Sequence, residues 1–180
     1  FVEEYKASAI SNLRTTLVMG VLAGAYLIAS IYYLLLFINQ PKAIDKLIFS
    51  LLCFFFLGLI LTEFLKFYYD YPYYYQLYWL FLIGVLNLTI AITIPWFLLV
   101  HFEVPAKHYL LPGYIVILIA CSFYWGIVED AAIRRLGNIT YIVSSLISLW
   151  AVYIKRDGGR MVLIVFAFIG VFNLFSSYGF

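Results

Sequence analysis

Two histidines are the residues of this sequence best suited to hold a metal ion or a haem. His101 and His108 lie on either side of Pro105, close to the ends of apolar runs. A haem held between membrane helices takes its axial ligands from facing helices, at membrane depth. Polar residues at helix ends are therefore the favoured interpretation. We expect no metal site, no haem and no other cofactor.

Phosphate binding and nucleophilic catalysis are no better supported by the sequence than metal or haem binding. Residues 156–160 read Arg-Asp-Gly-Gly-Arg, which looks like a phosphate-binding turn, but no acidic set that could hold a metal accompanies it. Ser144, Ser145 and Ser148 have no base nearby in the sequence. Serines within membrane spans more often donate to carbonyls of their own helix. We therefore expect no catalytic residue in these 180 residues and interpret the chain as non-enzymatic.

Composition indicates which elements position these residues. The chain is 66% hydrophobic and 11% charged, with a mean hydropathy of +1.03. Globular domains are nearer 45–50% apolar and about 25% charged. The apolar runs exceed the roughly ten residues of a barrel strand and do not alternate with polar residues. The sequence predicts an all-α, polytopic transmembrane bundle in contact with the lipid bilayer. A net charge of +2 gives no reason to expect nucleic acid as a partner.

Proline and glycine divide the apolar sequence into six predicted spans. After a pre-membrane segment at 1–14, the transmembrane domain covers 15–180, with spans at about 15–38, 46–68, 77–101, 109–128, 139–154 and 160–178. Prolines restrain the preceding residue and lack an N–H, so Pro41, Pro72 and Pro105 end helices. Gly137-Asn138 is predicted to precede the fifth span. Because the chain begins without methionine and stops within an apolar run, we expect it to be part of a longer protein.

Loop charges predict the orientation. One side carries six basic against three acidic residues, and the other carries five against six. Lys and Arg favour the cytoplasmic side. We therefore expect an integral membrane protein with the N-terminus outside.

Charged residues are nearly absent from the predicted spans, and Glu63 is the deepest. Lys66 follows three residues later, within pairing distance on a helix. An ion pair at the outer interface is one interpretation, and a ligand or coupling contact is the other. The lack of buried charge argues against an ion-coupled transporter.

Uncharged polar groups do occur at depth. Asn87 and Pro95 mark the third span and Asn173 the sixth, while Gly20 and Gly24 form a Gly-x-x-x-Gly motif in the first. Small residues allow close helix approach, and asparagine can bond across an interface. Structural packing is the first interpretation. The second is a proline kink that moves during signalling.

Aromatic residues crowd around Pro72 on the predicted outer side. Nine of them lie between positions 67 and 79, and Tyr73, Tyr74 and Tyr75 are consecutive. Tyrosine and tryptophan favour the headgroup region because their rings are apolar and their tips polar. An interfacial belt and a docking surface for an outer domain or ligand both explain the cluster.

The pattern is similar to the membrane domain of the bacterial seven-transmembrane receptors with diverse intracellular signalling modules. The residues that carry the resemblance are Leu-Val-Met-Gly-Val-Leu-Ala-Gly-Ala-Tyr at 17–26, Tyr-Tyr-Leu-Leu-Leu-Phe at 32–37, Asp45, Val-Tyr-Ile-Lys-Arg at 152–156, Gly-Gly-Arg at 158–160, and Asn173. This chain departs from the family in lacking a seventh span, so the resemblance implies a seven-span domain truncated at Phe180. It also implies location in a bacterial inner membrane, and an extracytoplasmic sensory domain and a cytoplasmic signalling domain in the same full-length chain. A homodimer is a further possible arrangement.

The predicted function is a sensory, signal-transducing membrane domain that couples an outer ligand or domain to a cytoplasmic output module. The ligand or coupling candidates are Glu63, Lys66, Tyr73, Tyr74, Tyr75, Asn87, Pro95 and Asn173. Two alternatives stay open. One is a non-catalytic subunit of a multi-subunit membrane complex, for example a respiratory one, and the other is a membrane enzyme or carrier for a lipid-like substrate.

Overall fold

The computed structural model describes residues 2–68, 73–105, 107–126, 130–156 and 158–177. Within these ranges the chain forms six α-helices and no strand, so the all-α prediction is confirmed. The helices are α1 (Val2–Asn39), α2 (Ile44–Tyr68), α3 (Tyr73–His101), α4 (Lys107–Trp125), α5 (Asp130–Tyr153) and α6 (Gly159–Ser177).

Five of these helices are long and apolar enough to cross a membrane. The candidate spans are Thr16–Asn39, Ile44–Leu65, Tyr75–His101, Lys107–Tyr124 and Ala131–Tyr153. Since about 20 apolar residues cross the hydrocarbon core, each can span it. Among the described residues α6 adds a shorter apolar stretch, Gly159–Ile169. The chain is an integral membrane protein.

The start of the fifth helix differs from the prediction. Gly137-Asn138 was expected to precede the span, yet α5 begins at Asp130 and runs through both residues without a break. A glycine within a helix costs only about 1 kcal/mol relative to alanine. Ala132 and Leu136, which are 0% and 2% exposed, bury the first turns of α5. This burial outweighs the local preference for a break, and the fifth candidate span runs from Ala131 to Tyr153.

The chain divides into two compact units, 1–90 and 91–180. In the first unit, two buried serines join α1 to α2. Ser30 Oγ donates to Ser50 O at 3.1 Å, and Ser50 Oγ donates to Ser30 O at 2.8 Å. Aromatic rings pack on either side of this pair, with Tyr26 stacked on Phe56 at 5.2 Å. Reciprocal hydroxyl bonds leave neither serine unsatisfied in an apolar setting.

The Gly-x-x-x-Gly motif of α1 does not provide the helix contact that the sequence suggested. A Cβ atom added at Gly20 or at Gly24 would meet nothing within 4 Å. Close approach of α1 to α2 occurs instead at the Ser30 level. In the part of the chain that the structure describes, the motif therefore lies on an unpacked face of α1.

In the second unit, apolar side chains from the end of α3 and the residues just after it cluster with Ala151 of α5. Leu98, Leu99 and Phe102 form a buried core with Val104 and Ala151. The buried residues of α5 recur at about every fourth position: Ala132, Leu136, Thr140, Ser144, Ser148 and Ala151. Such small residues along one face let neighbouring helices pack closely without a hydrophobic driving force between them. This packing fixes the C-terminal half of α3 beside α5.

Candidate functional site

A proline interrupts the hydrogen-bond ladder of α3 at its middle. Pro95 has no N–H, so the carbonyl of Ala91, four residues earlier, loses its helical donor. The hydroxyl of Tyr114, on α4, donates to Ala91 O at 3.0 Å. A side chain of a neighbouring helix thus replaces the missing backbone bond, which is how proline is tolerated within membrane helices.

Thr140 of α5 extends this contact to a third helix. Its Oγ1 lies 2.9 Å from Tyr114 Oη and 2.9 Å from Leu136 O. Tyrosine and threonine hydroxyls each carry one hydrogen. When Tyr114 donates to Ala91 O, the hydrogen of Thr140 can go either to Tyr114 Oη or to Leu136 O. Two hydrogens therefore serve three close contacts, and the hydroxyl rotation of Thr140 decides which contact is a bond.

The group formed by Ala91, Pro95, Tyr114 and Thr140, called the hydroxyl cluster below, is buried. Ala91 and Thr140 are each 6% exposed, Tyr114 is 8% exposed, and Pro95 is less than 2% exposed. Hydrogen bonds are stronger at low dielectric, and an unpaired polar group is correspondingly more costly. The cluster is therefore the point at which three helices depend on one another for polar satisfaction.

A cavity of about 590 Å³ lies beside the hydroxyl cluster. Its lining comes from α3, the α3–α4 loop, α4 and α5: Pro95, Leu99, Val104, Pro105, Tyr109, Leu110, Gly113, Tyr114, Ile117, Val143, Leu146, Ile147 and Trp150. No charged residue is among them. Sites for small ligands are mostly apolar hollows of about 300–1,000 Å³ with a few polar groups, and this cavity fits that range.

The C-terminus of α3 closes in a Schellman motif beside the cavity. Val104 N donates to Leu99 O at 3.0 Å, and Glu103 N donates to Val100 O at 3.1 Å. This pair of bonds requires a left-handed residue after the helix, which is usually glycine. Here the residue is Glu103, with φ 51°. A non-glycine residue is strained in this conformation, and here that residue is charged.

The C-terminus of α5 repeats this arrangement. Arg156 N donates to Ala151 O at 2.9 Å, Lys155 N donates to Val152 O at 3.0 Å, and Lys155 has φ 59°. Again a charged residue occupies the left-handed position that glycine usually takes. The ends of α3 and α5 are therefore built alike.

An ion pair joins these two helix ends. Arg156 Nη2 lies 3.1 Å from Glu103 Oε2, and both side chains are largely exposed. The chain continues into α6 through Gly159, where an added Cβ would lie 3.1 Å from Val152 N. A side chain at position 159 would therefore require the end of α5 to shift by a few tenths of an ångström. The ion pair places Arg156 at the level of the α3–α4 loop.

The structure describes the side chains of four of the eight candidate residues predicted from the sequence. Pro95 lies in the hydroxyl cluster, but Asn87 donates from Nδ2 to Ile83 O of its own helix at 2.9 Å. Glu63 is half-buried on α2, and Tyr75 is exposed on α3. Lys66, Tyr73, Tyr74 and Asn173 lie on helices, but their side chains are outside the described residues. The role of each as a ligand or coupling residue stays a prediction.

Tyr114 and Thr140 are the functional candidates that the sequence reasoning missed. The available signal was Pro95, because a proline within a span frees the carbonyl four residues before it. A hydroxyl-bearing residue of another span is the natural donor to that carbonyl. The sequence contains 17 tyrosines, and only the fold shows which one reaches Ala91.

The chain matches no protein-family model, no curated protein and no solved structure. The hydroxyl cluster and the cavity beside it are therefore the features that support a functional inference.

Proposed function

We propose that this chain is a signal-transducing membrane domain in which α3, α4 and α5 change their packing at the hydroxyl cluster. The bond from Tyr114 to the carbonyl freed by Pro95 is the observation that supports the proposal. In keeping with the resemblance to the bacterial seven-transmembrane receptors, the N-terminus lies outside a bacterial inner membrane. An extracytoplasmic domain or ligand supplies the input, and a cytoplasmic module of the full-length chain gives the output.

The physical basis is a polar contact with two arrangements. α3 lacks one backbone bond at Pro95, so it bends there more easily than elsewhere. Thr140 can donate to Tyr114 Oη or to Leu136 O, so its hydroxyl hydrogen has an acceptor in either arrangement. A ligand shifts such an equilibrium to the extent that it binds one arrangement better than the other.

A distance measurement across the ends of α4 and α5 tests the proposal. Tyr109 and Tyr153, which are 86% and 85% exposed, are replaced by cysteine for spin labelling, with Cys53 and Cys121 replaced by alanine. Double electron–electron resonance in lipid nanodiscs gives the distance distribution. We expect two populations, with a ratio that Tyr114→Phe changes.

Tyr141→Phe is the matched control. Tyr141 also donates its hydroxyl to a carbonyl of another helix, Phe166 O on α6, at 3.0 Å. Its loss removes a comparable bond outside the hydroxyl cluster, so the ratio of the two populations should stay the same. A single population that Tyr114→Phe leaves unchanged contradicts the proposal and favours a bundle that only packs, as in a non-catalytic subunit of a membrane complex.

A further inference from the structure

We propose that the cavity beside the hydroxyl cluster binds one hydrocarbon chain of an anionic phospholipid, with the phosphate held at the basic helix ends above it. This inference does not depend on the proposed signalling role, because it concerns what occupies the cavity and not whether the helices move.

The shape of the cavity suits a chain that enters from the bilayer. Tyr109, Gly113 and Ile117 are spaced four residues apart, so they follow one face of α4 along the cavity. Eight residues of helix rise about 12 Å, which is most of the roughly 15 Å depth of one hydrocarbon leaflet. Tyr109 and Ile117 are 86% and 55% exposed, so this side of the cavity opens laterally.

The chemistry of the lining selects an apolar occupant. Tyr114 contributes the one side-chain hydroxyl among the lining residues that is buried, and it is already bonded to Ala91 O. The Tyr109 hydroxyl and the Trp150 indole N–H are the only other polar side-chain groups of the lining, so a polar ligand would find few partners there, and unpaired polar groups are costly to bury. A hydrocarbon chain carries no polar group that would need a partner in this cavity.

The charge above the cavity selects the headgroup. Pro105 lines the cavity and lies two residues before Lys107, and the Arg156–Glu103 ion pair places the α5–α6 turn at the same end. In the sequence, the two connections between α3 and α4 and between α5 and α6, with the first residues of the helices that follow, contain the basic residues Lys107, Lys155, Arg156 and Arg160 and the acidic residues Glu103 and Asp157. Basic groups at the membrane surface attract anionic lipids. The charge complementarity therefore favours a phospholipid with net negative charge over a zwitterionic one.

The position of Trp150 in the cavity lining allows a direct test. The other three tryptophans, Trp79, Trp96 and Trp125, are replaced by phenylalanine. The purified chain in detergent is titrated with phosphatidylglycerol whose acyl chains carry bromine, and quenching of Trp150 is recorded. We expect half-maximal quenching at a mole fraction on the order of tenfold lower than with brominated phosphatidylcholine. Equal mole fractions for the two lipids would overturn the proposal.

Two glycine variants separate the cavity from the rest of the surface. A Cβ at Gly113 or at Gly137 would meet nothing within 4 Å, but only Gly113 lines the cavity. Gly113→Leu should abolish the preferential quenching, and Gly137→Leu should leave it unchanged. Equal quenching in both variants would also overturn the proposal. Should Gly113→Leu fail to fold by circular dichroism, the comparison of the two lipids in the unfilled cavity still decides the outcome.

Discussion

The bond between Tyr114 and Ala91 makes a quantitative prediction about Pro95. Tyr114→Phe removes the hydroxyl that donates to Ala91 O and leaves that carbonyl without its side-chain donor. Pro95→Ala restores a backbone N–H at position 95, which can donate to the same carbonyl. The two substitutions should therefore not be additive, because the tyrosine hydroxyl is needed only while the proline is present.

The magnitudes follow from the burial of the group. An unsatisfied buried acceptor costs about 1–3 kcal/mol, and bonds between membrane helices average about 0.6 with a maximum near 1.7 kcal/mol. We expect Tyr114→Phe to cost about 1.5 kcal/mol with Pro95 present, since the carbonyl has no alternative donor in its own helix. With alanine at 95, only the contact to Thr140 is lost, at about 0.5 kcal/mol. The coupling energy is then about 1 kcal/mol.

Reversible unfolding in mixed micelles, followed by circular dichroism, gives the free energies for the four proteins of this double-mutant cycle. An effect of Pro95→Ala on stability that is the same with tyrosine and with phenylalanine at position 114 cancels in the cycle. Tyr141→Phe, which removes the bond to Phe166 O, is the control and should be additive with Pro95→Ala within about 0.5 kcal/mol. If Tyr114→Phe is equally costly in both backgrounds, the hydroxyl does not stand in for the missing backbone donor, and the reasoning fails.

Three further predictions concern other parts of the chain. Lys155→Gly should stabilise the protein by about 1 kcal/mol in the same unfolding assay, because it relieves a left-handed backbone at φ 59°; Lys155→Ala should give no such gain. Ser50→Ala should cost about 1 kcal/mol, and about the same when Ser30 is already alanine, because Ser50 Oγ donates to the backbone carbonyl of residue 30, which that substitution keeps. Cysteine at Tyr74 should react with an impermeant reagent in intact cells and cysteine at Gly158 should not; the reverse pattern would contradict the predicted orientation.

The fold class was predictable because hydropathy and length act over whole helices. Each span contains far more apolar residues than any single break can offset, so an error at one position does not change the class. The start of α5 shows the limit of local signals. Gly137-Asn138 favours a break, but the burial of Ala132 and Leu136 depends on which face meets a neighbour. Which face of α5 is buried depends on tertiary packing, which the hydropathy pattern of the sequence does not show.

The candidate site was predictable only in part, for a similar reason. Pro95 stands out in the sequence because a proline within a span leaves one carbonyl without a donor from its own helix. Asn87 stands out as well, since an amide at depth can join two helices, yet the structure shows it bonding to its own helix at Ile83 O. Which polar group crosses to another helix depends on rotation about the helix axis by a fraction of a turn. Periodicity in a helix that is apolar on all faces does not define that rotation.

Glu103 and Lys155 are charged residues in left-handed conformations, and their charges suggest a function for the ends of α3 and α5. Each non-glycine residue held there costs about 1–2 kcal/mol, and glycine would remove that cost. The chain does use glycine close by, at Gly158 with φ 81°, so the sequence accommodates it in this region. Strain that persists beside a cavity is typical of functional positions.

A charge at Glu103 and at Lys155 contributes something that glycine cannot, and for Lys155 attraction of a lipid phosphate is such a contribution. Glu103 acts differently, since its ion pair with Arg156 holds that guanidinium above the cavity. Replacing Glu103 by glutamine should therefore leave anionic-lipid binding possible but reduce its preference for the cavity, which the Trp150 quenching assay measures directly.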